Sequence, residues 1–210
     1  MTGEISHAGP SSQKPPPSGQ EQGNGVQAFG IEPDQAAREF LIAENLSVWS
    51  DLAQMPGLKR REVRVVTMFH VLEHLRDPRL FLRDAIETLP NARLFVIEVP
   101  CAEDPLLTLY GCEAFSRFTY WSHHEQLHSK RSLESLLGEL SDTVEVSRLQ
   151  RYGLGNHLGW LSRGKPGGQV EMAWLEGSPA DAYYRLRVVG QGFCDTLWAV
   201  VQISRSDAGR

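Results

Sequence analysis

Cysteine is scarce in this chain. Three residues in 210, Cys101, Cys112 and Cys194, make an odd number with no C-x-x-C pair among them. That count excludes a disulfide framework and fits reduced thiols in a cytoplasmic protein; each reads better as a buried bystander than as a nucleophile. Long apolar runs are also missing. No stretch of about 18 apolar residues exists to span a membrane, and the N-terminus has no apolar core of the signal-peptide kind. Positive charge is short too: 21 lysines and arginines face 26 aspartates and glutamates, a formal net charge of -5. A surface that displaces phosphate counterions needs a basic stripe, so nucleic acid is not the expected partner. Lys59-Arg60-Arg61 is short enough to be a solvated turn. What remains is 41% hydrophobic residues, over a length sufficient for one core.

That apolar content is unevenly spread. Residues 1–24 are proline, glycine, serine and glutamine, too polar to offset the entropy of ordering, and read as a disordered tail. A domain is expected over residues 25–205, with 151–190 as a cap before the last strand. Its first strand lies in VQAFGI, residues 26–31, followed by a helix opened by Pro33. A second strand, RVVTMF (64–69), precedes an Asp77-Pro78 helix cap, and that helix carries Leu80, Phe81, Ala85, Ile86 and Leu89 on one face. LFVIEV (94–99) is a third strand. Ser132 is placed to cap a leucine-rich helix, residues 144–149 alternate like a strand, 180–190 read as helix, and TLWAVVQI (196–203) is a final strand. Strands alternating with helices give an α/β fold around a mostly parallel sheet.

TMFHVLEHL (67–75) contains H-x-x-E-H, the order found on helices of one zinc peptidase class. Histidines four apart share a face only inside a helix. Here the stretch directly follows a strand and the next helix is capped just beyond it, so His70 and His74 are expected to hold no zinc.

Taken with its flanks, the stretch has another counterpart. A strand, FHVLEHLRDP, an amphipathic helix and a strand ending in E-V-P together resemble the middle of the class I S-adenosylmethionine-dependent methyltransferases. GIEPD (30–34) is similar to the end of that family's second strand, and RYGLGNHLGWLSRGKPGG (151–168) and DTLWAVV (195–201) to the carboxy-terminal part of one subgroup. The resemblance covers residues 26–203. It implies a Rossmann-like sheet with a final antiparallel strand, S-adenosylmethionine as cofactor, and methyl transfer to a small-molecule acceptor, a sugar or another metabolite. It also implies that Glu32 binds the cofactor's ribose, since a carboxylate accepts hydrogen bonds from two vicinal hydroxyls. Phe69 and His70 would contact the same cofactor.

The family's first strand and its glycine-rich loop have no clear counterpart; GQEQGNG (19–25) follows no apolar strand. The expected consequences are a sheet without its first strand and weakened cofactor binding. A non-catalytic remnant or binding module is the alternative, and a zinc hydrolase the third reading. YWSHHEQLHS (120–129) resembles a Y-x-H-E-H-like segment of some family members, which makes His124 and Glu125 the general-base candidates. A zinc set of His123, His124 and His128 is the competing reading of the same stretch. Asn156, His157 and Trp160 are candidates for the acceptor pocket, while Trp160 and Trp174 could equally fill the core of the cap.

Overall fold

The first helix starts where a carboxylate can catch its free N–H groups. In the computed structural model, which describes residues 26–121, 124–141 and 143–204, the Asp34 side chain accepts the Ala37 N–H at 2.7 Å. That cap sets the start of the helix at Gln35, beyond Pro33, where the sequence placed it. The described residues fall into two units, divided after Ser50. The polar tail and GQEQGNG lie outside the described residues.

The first unit contains β1 (Phe29–Ile31), α1 (Gln35–Ala43) and β2 (Ser47–Trp49), with the two strands parallel and Gly30 opposite Val48. Phe29 and Trp49 pack ring to ring, 6.0 Å between centroids. Just past β1, the Glu32 N–H donates to the Trp49 carbonyl at 2.9 Å. β2 was not foreseen, because three residues are too few to show a period.

The second unit opens with α2 (Gly57–Glu62) and β3 (Val65–Phe69), then a single 3₁₀ turn at Leu72–His74. α3 (Pro78–Thr88) follows, and Asp77 caps it through the Leu80 N–H. β4 (Leu94–Pro100), α4 (Pro105–Thr108), α5 (Glu113–Trp121), α6 (Lys130–Gly138) and β5 (Thr143–Leu149) come next. α7 (Leu154–Arg163), α8 (Gly168–Glu171), α9 (Pro179–Gly190) and β6 (Thr196–Gln202) complete it. The sheet order is β3-β4-β6-β5. β3 and β4 run parallel, and β6 lies antiparallel between β4 and β5. This is the α/β sheet with a final antiparallel strand that the resemblance implied.

Alternation along the central strands decides which residues are inside. Met68, Phe95, Ile97, Leu197, Ala199 and Val201 are buried, as are Leu133, Leu136 and Leu137 of α6, a helix that packs against β5. Removing a leucine side chain from water contributes roughly 1.5–3 kcal/mol, so these rows dominate the stability of the unit. Two details of the sequence reading need correction. α3 buries Pro78, Leu82 and Ala85, with Leu89 buried just beyond its end, while Leu80 is exposed, so Leu82 and not Leu80 continues the inward row. α6 is capped by Ser129, whose hydroxyl accepts the Ser132 N–H at 3.1 Å; Ser132 is the residue held, not the cap.

Candidate active site

His70 is the first residue beyond β3, and its backbone turns into the left-handed region, with φ at 55°. That conformation is uncommon for a residue with a Cβ. It directs the imidazole between two buried carboxylates: Nδ1 lies 3.2 Å from Glu73 Oε1 and Nε2 3.2 Å from Glu98 Oε1. Glu73 is 0% and Glu98 2% exposed. Glu98 also pairs with the Arg151 guanidinium, which satisfies a charge that would otherwise be costly to bury. Phe69, Glu98 and Trp198 share one cross-strand row, and the rings of Phe69 and Trp198 stack at 5.6 Å. Phe69 remains half-exposed.

The HVLEH turn is bound to the HEQLHS stretch through the backbone. The Glu73 carbonyl accepts the Glu125 N–H at 2.8 Å and the Gln126 N–H at 3.3 Å. The Gln126 side chain donates to the Leu75 carbonyl at 2.9 Å. His74 and His124 thereby come within 5.1 Å, ring centroid to centroid. Burial, opposed by the nearby Glu73 carboxylate, holds the His124 imidazole below the usual histidine range.

His70 and His124 both line a pocket of about 250 Å³ within the second unit. Its apolar walls are Leu106, Phe115, Phe118 and Trp160. Leu106, Cys112 and Trp160 form a buried cluster against which Phe115 packs, and Trp160 meets Phe115 edge-on at 5.1 Å. The polar lining comes from α7 and from the loop around Asp195. His157 is buried, hydrogen-bonded through Nδ1 to the Tyr184 hydroxyl, with Nε2 3.3 Å from the Gln150 amide. Burial, with Arg185 nearby, pushes its pKa down to about 4. The Asp195 carboxylate accepts the backbone N–H groups of Arg151 and Tyr152 and the Gln150 amide, while burial pushes its pKa up. Asp104 caps α4 through the Leu106 N–H and is pushed up to about 7, mainly by burial. Cys101 also lines the pocket, but its hydrogen bond to Cys194 and its burial push the thiol far up. It is a buried neutral group, not a nucleophile.

The sequence candidates are therefore partly gathered. His70 and His124 share the pocket with Asn156, His157 and Trp160. Glu125 does not line it; its carboxylate is half-exposed, 3.9 Å from Arg76. Glu32 belongs to the first unit, half-buried at the carboxyl end of β1. Trp174, the other candidate for the core of the cap, is 77% exposed. His123 lies outside the described residues. Asp104 and Asp195 were missed, although Asp104-Pro105 repeats the capping pair seen at Asp77-Pro78 and could have marked α4.

A family model described as "Methyltransferase domain" matches residues 19–141. The chain belongs to that family, the class I S-adenosylmethionine-dependent methyltransferases. It is a methyltransferase by class, with S-adenosylmethionine as its cofactor. No curated protein matches it. Among solved structures it is similar to a SAM-dependent methyltransferase from Archaeoglobus fulgidus, at TM-score 0.49 and 14% identity, over 83% of this chain and 75% of that one. It is also similar to the plantazolicin methyltransferase BamL solved with a triazolic desmethylPZN analog and SAH, at 0.48 and 9%, over 86% and 69%. A third is the small RNA methyltransferase HEN1, at 0.45 and 14%, over 85% of this chain and 20% of that one. Family membership rests on the domain match, not on these likenesses.

Proposed function

We propose that the protein transfers a methyl group from S-adenosylmethionine to a small molecule whose apolar ring or chain fills the pocket between α5 and α7. The observation that carries this is the pocket itself. A partly open space of about 250 Å³ with aromatic walls suits a compact acceptor, since ligand sites are mostly apolar with a few placed polar groups.

The residues present fit the cofactor. Glu32 accepts the Asp34 N–H at 2.8 Å through one oxygen, and a carboxylate has lone pairs to spare for two ribose hydroxyls. In the second unit, Phe69 offers a half-exposed aromatic surface and His70 a ring fixed by two carboxylates. When bound, S-adenosylmethionine supplies an electrophilic methyl on a positively charged sulfur. The chain's own residues exclude water from the acceptor, through Phe115, Phe118 and Trp160, and align it. His124, kept neutral by burial, takes the proton from an acceptor hydroxyl or amine. Glu125 serves the loop, not the acceptor. The cofactor is held weakly in this reading, because the glycines of GQEQGNG (19–25) follow no apolar strand of the kind that leads into the family's loop. The free, buried thiols suit the cytoplasm, and no helix among the described residues is long and apolar enough to cross a membrane.

The test is label transfer from methyl-labelled S-adenosylmethionine to a panel of small hydroxyl- and amine-bearing compounds, with an RNA pool in parallel. Label in the small-molecule fraction, reduced by Phe118→Ala, is the expected result. Label in RNA alone would refute the acceptor class.

A further inference from the structure

We propose that Glu73, His74 and His124 form a site for one divalent first-row metal ion beside the acceptor pocket. One carboxylate oxygen of Glu73 and one ring nitrogen of each histidine lie within 4.8 Å of one another. Glu73 Oε1 and His74 Nε2 are 3.9 Å apart. The second observation is independent of that clustering. The Glu73 side chain is fully buried, yet its Oε2 has no hydrogen-bond partner among the described residues. A buried carboxylate oxygen left unmet is costly, and a cation between it and two imidazoles removes that cost.

The donor set indicates the class of ion. Two imidazoles and a carboxylate suit zinc, cobalt or manganese better than calcium or magnesium, which prefer oxygen. His70 Nδ1 already holds Glu73 Oε1 at 3.2 Å, as an outer-shell partner orients a ligating carboxylate. The backbone bonds from Glu125 and Gln126 to the Glu73 carbonyl hold the two ligand-bearing stretches together. Bonds of about 2.0–2.2 Å require the three donors to close in further; His74 is exposed and His124 half-buried. The proposal departs from the expectation that the H-x-x-E-H stretch holds no zinc, which rested on the lack of a long α-helix there. A 3₁₀ turn and a distant loop supply the set, with His70 outside it.

Three protein ligands leave a position open, and His124 borders the pocket. An ion there would polarise an acceptor oxygen, the activation otherwise given to His124 as a base. That consequence rests on the proposed function; the binding of the ion does not.

The test uses the full 210-residue chain stripped of metal, titrated with Co²⁺ by visible absorption and with Zn²⁺ by calorimetry. One ion per chain is expected, lost in His74→Ala and in His124→Ala. His70→Ala should keep the stoichiometry with affinity about 10–100-fold lower. Glu73→Gln should also lose the ion, and if that variant fails to fold by circular dichroism, the histidine variants decide. No binding by the wild type, or binding that survives both histidine changes, overturns the site. Since no cofactor or acceptor is present, failure of methyl transfer leaves this result standing. A metal-free outcome, in turn, leaves His124 as the base.

Discussion

His157 is the residue whose environment makes the plainest demand on pH. Folded, it binds its proton near pH 4, against 6.5 for an ordinary imidazole. Between those values the unfolded chain carries more protons, so acid favours unfolding. The contribution is whole above pH 6.5 and is lost as pH falls toward 4, up to about 3 kcal/mol in all. Asp104, raised from 3.8 to about 7, acts the opposite way: its contribution is present at low pH and lost as pH rises through 7. Wild-type stability therefore mixes the two, and a difference isolates one. The stability deficit of His157→Gln relative to wild type should shrink between pH 7 and pH 5, as read from urea midpoints. A deficit independent of pH would show that His157 does not titrate in this way.

Trp160 sets a second expectation at this scale. It is 4% exposed within the Leu106, Cys112 and Phe115 cluster, so Trp160→Ala should cost about 3–5 kcal/mol, measured by the same unfolding. The sequence offers Trp160 and Trp174 equally for the core of the cap, and Trp174 is exposed. A single residue's type does not announce whether it is buried. The link between Glu73 and the HEQLHS stretch was invisible for a stronger reason. It runs through a carbonyl and two backbone N–H groups, which leave no trace in residue type. The same backbone link turns Glu125 toward Arg76 while His124, one residue away, faces the pocket.

Among the elements, α7 and α8 depend on glycine. A Cβ on Gly168 would come within 2.2 Å of the Gly155 carbonyl and 2.9 Å of Gly159 Cα. Both are backbone atoms and cannot rotate away. Gly168→Ala should separate the two helices, costing about 1–3 kcal/mol, and should shift Asn156, His157 and Trp160 with α7. Its control, Gly138→Ala, meets nothing within 4 Å and should leave the melting temperature unchanged or raised. Equal melting of the two variants would mean that the close approach does not matter. The element pattern was legible where a cap and a period coincide: Asp77 before α3, and the buried rows of β4 and β6. It failed where one was absent. β2 is too short for a period, and Ser129 and Ser132 are equally good caps until one hydroxyl meets the other residue's N–H.

For the whole molecule, the sheet order β3-β4-β6-β5, with β6 reversed, follows from burial as much as from ladder bonds. Every residue of β4 is buried or half-buried, and in β6 Gln202 alone is exposed, which suits the middle of a sheet. β3 has Val65 and Phe69 about half-exposed and stands at the edge among the described residues. The α/β class and the reversed last strand were readable from strand spacing and the family resemblance. The pocket was not, because it is assembled from α5, α7 and loops far apart in sequence.

The central proposal is that S-adenosylmethionine is bound through Glu32 in the first unit and through Phe69 and His70 in the second, and it can be tested even if binding is weak. Backbone-amide NMR of the 210-residue chain, titrated with S-adenosylmethionine into the millimolar range, reports each position separately. Saturable shifts at residues 30–34 and at Phe69 and His70, with those at 30–34 lost in Glu32→Ala, are the expected result. Shifts confined to other residues, or none at millimolar cofactor, would contradict the account.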